Sequence, residues 1–339
     1  MTDLPTFSSR ISSRALSVWS GVRGLSFAFY RLTSPLFPNQ PVFSRTFSWP
    51  RKLLLLGIMT ASFSLLGLLL PPGGYVGFDW THFFGIGVIA PFQPPWTKAF
   101  TDLLTWPLLV GLGLAAFSLA TLQRSVHPAS IAAAFFCLPL LWTIFLGQIE
   151  GIALLGLVGL PWLAPLALLK PQITFFAFGA RRVYILAFVV VMLVSFLVFG
   201  PWWNAMLNVE SFYAEGRYPQ NIALGWWGLP VFLATLWFSR GDMDMLMLSG
   251  AFITPHLIPY NLLPLTPAIA RLRPRYALIA ALLSWLPLVC ANFLGEWGWW
   301  TGWIFPAWLW INLAQKRYPG FLSQGIKYVH SRSIQGGKS

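Results

Sequence analysis

Charge is scarce in this chain: 9% of its 339 residues are Asp, Glu, Lys or Arg, and only nine are acids. Together with 57% hydrophobic residues and 19 Trp, that scarcity excludes a soluble domain, in which about a quarter of the residues would be charged. Cysteine is nearly absent as well. Cys137 and Cys290 each lie inside an apolar run, far from a second Cys or a His at ligand spacing, so neither a disulfide framework nor a zinc site is expected. The first thirty residues contain no apolar core of the kind a cleavable signal peptide needs. There is no P-loop and no G-x-G-x-x-G ahead of a helix, which leaves ATP-driven transport and nucleotide-sugar chemistry without support. No Asn-x-Ser/Thr sequon occurs, as in a bacterial chain. No cofactor and no metal are expected.

What the chain does have is a series of apolar runs punctuated by short basic or proline-rich breaks. Runs over 53–70, 103–122, 129–146, 183–199, 222–238, 276–294 and 299–314 approach the roughly 20 residues that cross a bilayer. The run over 245–270 is broken at its centre by Thr254-Pro255 and Pro259-Tyr260-Asn261, which favours two short spans joined by a tight external turn. The formal charge of +13 fits this pattern better than it fits nucleic acid. The basic residues gather before the first span, at Arg124, Arg181-Arg182, Arg240 and 271–275, and after residue 314, whereas only Lys98, Arg217 and Lys170 of the 22 fall elsewhere. The positive-inside rule then gives about ten crossings with both termini cytoplasmic. The expected fold is all-α: a polytopic domain over 51–315 in the cell inner (plasma) membrane, between a basic cytoplasmic tail at 1–50 and another at 316–339. In the first tail Ile11, Ala15, Val18, Trp19, Val22 and Leu25 recur at helical spacing, as in an amphipathic helix on anionic lipid; a disordered tail is the alternative.

One stretch resists simple crossing. Glu150 is expected outside and Arg181-Arg182 inside, yet the intervening apolar chain is too long for one helix and too short for three. The parity is met by one short crossing over 151–160 and a re-entrant helical hairpin whose tip is Lys170-Pro171. Irregular backbone at membrane depth is tolerated where it lines a cavity, and a lone intramembrane Lys faces a cavity or an anion rather than lipid. Three breaks then share one outer face: the loop with Asp79, the Gly147-Gln148-Ile149-Glu150 corner, and the turn with His256 and Tyr260. A carboxylate beside a cation at the membrane boundary suits a hydroxyl losing its proton while a phosphate departs.

Other residues carry weaker signals. His82, three residues beyond Asp79, orients it or packs at the interface. Asp102 is expected to cap the following helix. Glu210, Glu215 and Arg217 read as a solvated loop face or an acceptor contact. Trp297, Trp299, Trp300 and Trp303 read as an interfacial belt or a sugar-stacking platform.

The order of these pieces resembles the family C (GT-C) membrane glycosyltransferases, and within them the polyprenyl-phosphate-mannose-dependent type. The matching pieces are Asp79 in the first external loop, Pro94-Pro95, Gly147-Gln148, Lys170-Pro171, Asn221 with Gly225, and Thr254-Pro255 with Tyr260-Asn261. The resemblance implies transfer of a mannose-like hexose from a polyprenyl-phosphate donor to a lipid or glycan acceptor outside the cytoplasm. It implies Asp79 as general base, Lys170 as the donor-phosphate residue, and Gln148, His256, Tyr260, Asn261 and His82 around the sugar. Glu150 stands where many relatives have Asn, and Asn261 where an acid is often found, so sugar or acceptor choice differs accordingly. Two other classes stay open on the residues alone. A secondary transporter or lipid flippase would show broken helices in repeated positions, and a non-catalytic accessory subunit would carry its polar residues on lateral faces rather than in one cavity.

Overall fold

The computed structural model describes residues 43–87, 93–204 and 218–318. These belong to the second of two units, Pro41–Ser339; the first, Met1–Gln40, lies outside the described residues, as do most of both basic tails and Glu210, Glu215 and Arg217. Among the described residues the chain is helical and has no strand. In chain order the α-helices are α1 (Trp49–Leu69), α2 (Phe78–His82), α3 (Thr97–Thr101), α4 (Trp106–Arg124), α5 (Pro128–Phe135), α6 (Leu138–Leu146), α7 (Glu150–Val158), α8 (Ala164–Ala167), α9 (Pro171–Thr174), α10 (Arg182–Phe199), α11 (Gly228–Ser239), α12 (Met243–Ala251), α13 (Pro274–Leu283), α14 (Leu286–Leu294) and α15 (Ile304–Arg317). Among the described residues, four stretches are long and apolar enough to cross a membrane: α1, α4, α10 and the segment Pro274–Arg317. The pair α5 and α6, bent by 45° at Phe136-Cys137, makes a fifth if counted as one span.

The bends have visible causes. Pro128, Pro139 and Pro287 occupy first-turn positions, where a missing N–H costs nothing, and each restarts a helix after a break. Segment Pro259–Arg271 is a 3-10 helix of 13 residues with Pro264 and Pro267 inside it. Runs of that length are uncommon. The two prolines remove donors and clash with a regular α-helix at this point.

Burial sorts the helices into two classes. Every residue of α7 and α12 is buried, and so is almost all of Pro259–Arg271. In contrast, only 6% of the α1 window and 11% of the α10 window are buried, so these two helices present Leu and Val to lipid over most of their surface. The short, broken elements are therefore central and the long apolar ones peripheral. Lys52, at the start of α1, reaches inward and donates to the Val158 carbonyl at the end of α7, 3.0 Å away.

The chain doubles back around Lys170. After α7 the chain turns, returns through α8, and arrives at Lys170 beside Glu150, the residue where α7 began. Gly156 permits this close return, because a Cβ there would overlap the Ala167 nitrogen. From Lys170 the chain runs back through α9 and the 3-10 segment Phe175–Ala180 to Arg181. Asp102 does not cap the helix that follows it. That helix starts at Trp106 after Thr105, and Asp102 instead pairs with Lys98 one turn earlier at 2.9 Å.

Away from the hairpin tip, the ends of α4, α11, Pro259–Arg271 and α15 meet in an ionic cluster. Arg124 is buried and binds Asp244 at 2.6 Å, while Arg271 binds Asp242 at 2.7 Å and Asp244 at 2.9 Å. Asp242 also caps α12 by accepting from the Asp244 and Met245 amides. Arg317 donates to the Arg240 carbonyl at 2.5 Å. Four basic breaks in the sequence thus share one end of the molecule.

Candidate functional site

The site is assembled from three corners that the backbone fastens together. The loop after α1 enters through Gly77, whose amide donates to the Phe145 carbonyl at 2.6 Å, setting α2 against the end of α6. Gly147 closes α6 with a positive φ of 74°. A side chain there would meet Trp106 and Trp80 at 2.7 Å, so only Gly lets the chain turn this tightly and aim Gln148 back at α2. The Thr254 hydroxyl donates to the Gln172 carbonyl at 2.7 Å, tying the Thr254-Pro255 turn to the hairpin tip. Asn221 joins the same turn, its side-chain oxygen accepting from the Leu257 amide at 2.9 Å.

A cavity of about 420 Å³ lies between these corners. Asp79, Gln148, Lys170, His256 and Tyr260, all named from the sequence, line it. Inside it the polar groups form one chain of contacts. The Gln148 amide nitrogen donates to an Asp79 carboxylate oxygen, and the Lys170 ammonium donates to the Gln148 side-chain oxygen at 3.0 Å. Lys170 also pairs with Glu150 at 3.1 Å, and the Asn261 amide donates to the same Glu150 oxygen at 2.9 Å. The rings of Phe84 and Tyr260 flank the ammonium at 5.7 and 5.5 Å, adding cation–π attraction in a dry setting.

Asp79 sits in the loop helix α2. Burial pushes its pKa above the ordinary carboxylate value, while the Gln148 hydrogen bond and the charges of Lys170 and His82 pull it back. His256 is pushed the other way, down to about 4, by burial and then by Lys170. It is therefore a neutral imidazole at pH 7.

Two residues stand apart from the cavity. His82 is exposed, stacks on Phe78 with ring centroids 4.2 Å apart, and has Nδ1 at 2.9 Å from the Phe78 carbonyl. Its influence on Asp79 is a charge effect without contact. Asn261 lies behind the wall, where its side-chain oxygen accepts from the Ile258 amide and its nitrogen holds Glu150.

The cavity also gathers residues that sequence reasoning did not single out for it: Gln93, Trp142, Tyr218 and Gln220 line it. Trp142 packs on Trp299 at 5.5 Å, so one member of the expected tryptophan belt supports the cavity from behind while Trp297 stays 80% exposed. The Pro91-Phe92-Gln93-Pro94 context was the available signal for Gln93, a lone amide in an apolar loop. Glu150 was placed on this face by parity, but its pairing with Lys170 needed the return of the hairpin. Compared with the protein-family models, with the curated proteins and with the solved structures, the chain matches none.

Proposed function

We propose that this chain is a membrane glycosyltransferase of the family C type, moving a mannose-like hexose from a polyprenyl phosphate to an acceptor hydroxyl on the extracytoplasmic side. The observation that carries the reading is that Asp79 and Lys170 line one cavity and are joined through the Gln148 amide. The Asp79 carboxylate takes the proton of the acceptor hydroxyl, whose oxygen attacks the anomeric carbon. The bond from that carbon to the phosphate oxygen breaks, configuration inverts, and polyprenyl phosphate leaves with its charge facing the Lys170 ammonium. His256 and Tyr260 face the sugar, and Gln148 keeps acid and ammonium at fixed separation.

In this reading the chain makes about ten passes, some of them through short or proline-broken elements, around a re-entrant hairpin. Both termini are cytoplasmic, the ionic cluster around Arg124 and Asp244 lies at the cytoplasmic end, and the cavity faces outward. The donor's prenyl chain is held by the bilayer and by the apolar rim of Phe78 and Phe83.

The test is transfer of labelled hexose from polyprenyl-phosphate donors in membranes containing wild type, Asp79→Asn or Lys170→Ala at matched protein levels. Transfer by the wild type and failure of both variants is the expected result. Wild-type membranes that consume no donor, or variants that keep pace with the wild type, sink the proposal and leave transport as the activity to assay.

A further inference from the structure

The charges around the cavity do not balance for an anionic ligand. Two carboxylates are gathered at one ammonium: Glu150 pairs with Lys170 at 3.1 Å, and Asp79 is joined to it through the Gln148 amide. The other titratable groups on the wall add no positive charge, since His256 is neutral at pH 7 and Tyr218 and Tyr260 are phenols. His82 is exposed, and solvent screens it. Among the described residues, the elements packed on α7 bring no second cation to this corner. Segment Pro259–Arg271 offers Glu150 the Asn261 amide at 2.9 Å, and α4 meets Gly151 with Gly113. Lys52 and Arg124 lie at the other ends of these helices, against Val158 and Asp244. Before any donor arrives, negative charge is already in excess.

A phosphodiester adds to that excess. Lys170 has a hydrogen bond to give it, because an ammonium has three protons and two are directed at Gln148 and Glu150. What Lys170 lacks is charge for a further anion. Once a phosphate shares the ammonium, Glu150 keeps only part of its compensation, and at 1% exposure it has no water to supply the rest. A carboxylate buried in that way takes a proton in preference to staying charged. Asp79 is only half-buried, and solvent supports its charge. We propose that Glu150 is the proton acceptor of donor binding, so that the chain takes up one proton with each polyprenyl-phosphate sugar. This rests on the reading of Lys170 as the donor-phosphate residue given above. The route is the existing contact. Lys170 passes a proton to Glu150 across 3.1 Å and regains one from the cavity that it lines, so the ammonium is restored and the net change is one proton from solution. The phosphate then has the whole charge of Lys170, and Asp79 stays ionised as the base.

The experiment is titration calorimetry of farnesyl-phosphate mannose into the full-length chain in lipid nanodiscs, in buffers of different ionisation enthalpy, for wild type, Glu150→Gln and Asp79→Asn. The diester of this ligand stays ionised near neutral pH, so any proton taken up goes to the protein. Wild type is expected to take up about one proton per ligand, and its affinity to fall about tenfold per pH unit while Glu150 is ionised in the free chain and protonated in the complex. Glu150→Gln keeps an oxygen for Lys170 and Asn261. It should take up no proton and bind with an affinity that does not fall with pH, whereas Asp79→Asn should still take up the proton. Ligand bound by wild type without a proton, uptake that persists in Glu150→Gln, or binding that requires added Mg2+ in place of the proton each overturns the assignment. A wild type that binds no ligand overturns the donor-phosphate reading of Lys170 itself, so the two failures are told apart.

Discussion

Lys170 brings its positive charge to a place already acidic on two sides. Glu150 pairs with it directly and Asp79 is one amide away. Glu150 is 1% exposed and one of its oxygens has no partner among the described residues, so its charge depends on Lys170 for compensation. Removing one member of such a buried pair costs about 3–5 kcal/mol, because the other is left uncompensated. Lys170→Ala should therefore lose stability as well as transfer. Adding Glu150→Gln removes the stranded charge and keeps an oxygen for Asn261. We expect the double variant to regain most of the thermal stability in detergent while remaining inactive. Return of transfer together with stability would show that Lys170 serves the fold and not the donor phosphate.

Asp79 makes a prediction in pH at the same scale. A general base works when deprotonated, and burial raises this carboxyl above 3.8. Transfer should fall as pH drops through that raised value. Gln148 is the largest of the influences opposing the rise. In Gln148→Met, which keeps bulk but loses the donor, the acid limb of the kcat/KM profile should move to higher pH. His256, at about 4, is neutral above pH 5 and adds no limb of its own between about pH 5 and 8. An acid limb that stays in place in Gln148→Met, with activity intact, would separate the limb from Asp79. By linkage, the raised carboxyl favours the fold below its unfolded pKa, and that share is lost as pH rises through the raised value.

Among the elements, the packing of α8, which leads to Lys170, on α7 is what the site's geometry depends on. α7 and α8 run against each other with Gly156 on the Ala167 backbone, where an added Cβ has no room. Overpacking of this kind costs about 1–3 kcal/mol, and separating α8 from α7 draws Lys170 away from Glu150. Gly156→Ala should lower both melting temperature and transfer, while Gly57→Ala on α1, with nothing within 4 Å, should be neutral or stabilising. Equal behaviour of the two variants would mean that α7 and α8 are not held as described. The hairpin tip was legible because an ammonium beside a proline inside an apolar run is tolerated only where a cavity or a counter-charge receives it. The spans α1, α4 and α10 were legible from length alone. The central elements were not, because prolines such as Pro264 and Pro267 shorten a run without saying whether the chain turns or winds tighter. Asp102 misled because its ion pair with Lys98 and a cap on the next helix look alike in sequence. Gln93 could not be chosen over other loop amides until the fold set it in the cavity wall.

At the scale of the whole molecule, α4 measures the distance between the two polar clusters. Its first residue, Trp106, donates to the Leu70 carbonyl at 2.7 Å beside the cavity's Gly147 corner, and its last, Arg124, binds Asp244. Nineteen residues at 1.5 Å each separate these ends by about 28 Å, close to the thickness of the hydrocarbon core, about 30 Å. In the proposed arrangement the two clusters therefore lie at opposite bilayer surfaces, and the excess of Arg at the Arg124 end makes that end cytoplasmic. Tyr75, 79% exposed near the cavity end, and Val126, 60% exposed just after α4, report the two sides. In a chain with Cys137 and Cys290 replaced, Tyr75→Cys should react with an impermeant thiol reagent added outside intact cells, and Val126→Cys only after the membrane is permeabilised. The reverse pattern would turn the cavity towards the cytoplasm, put Asp79 and Lys170 on the side where nucleotide sugars are available, and remove the reason for a lipid-linked donor.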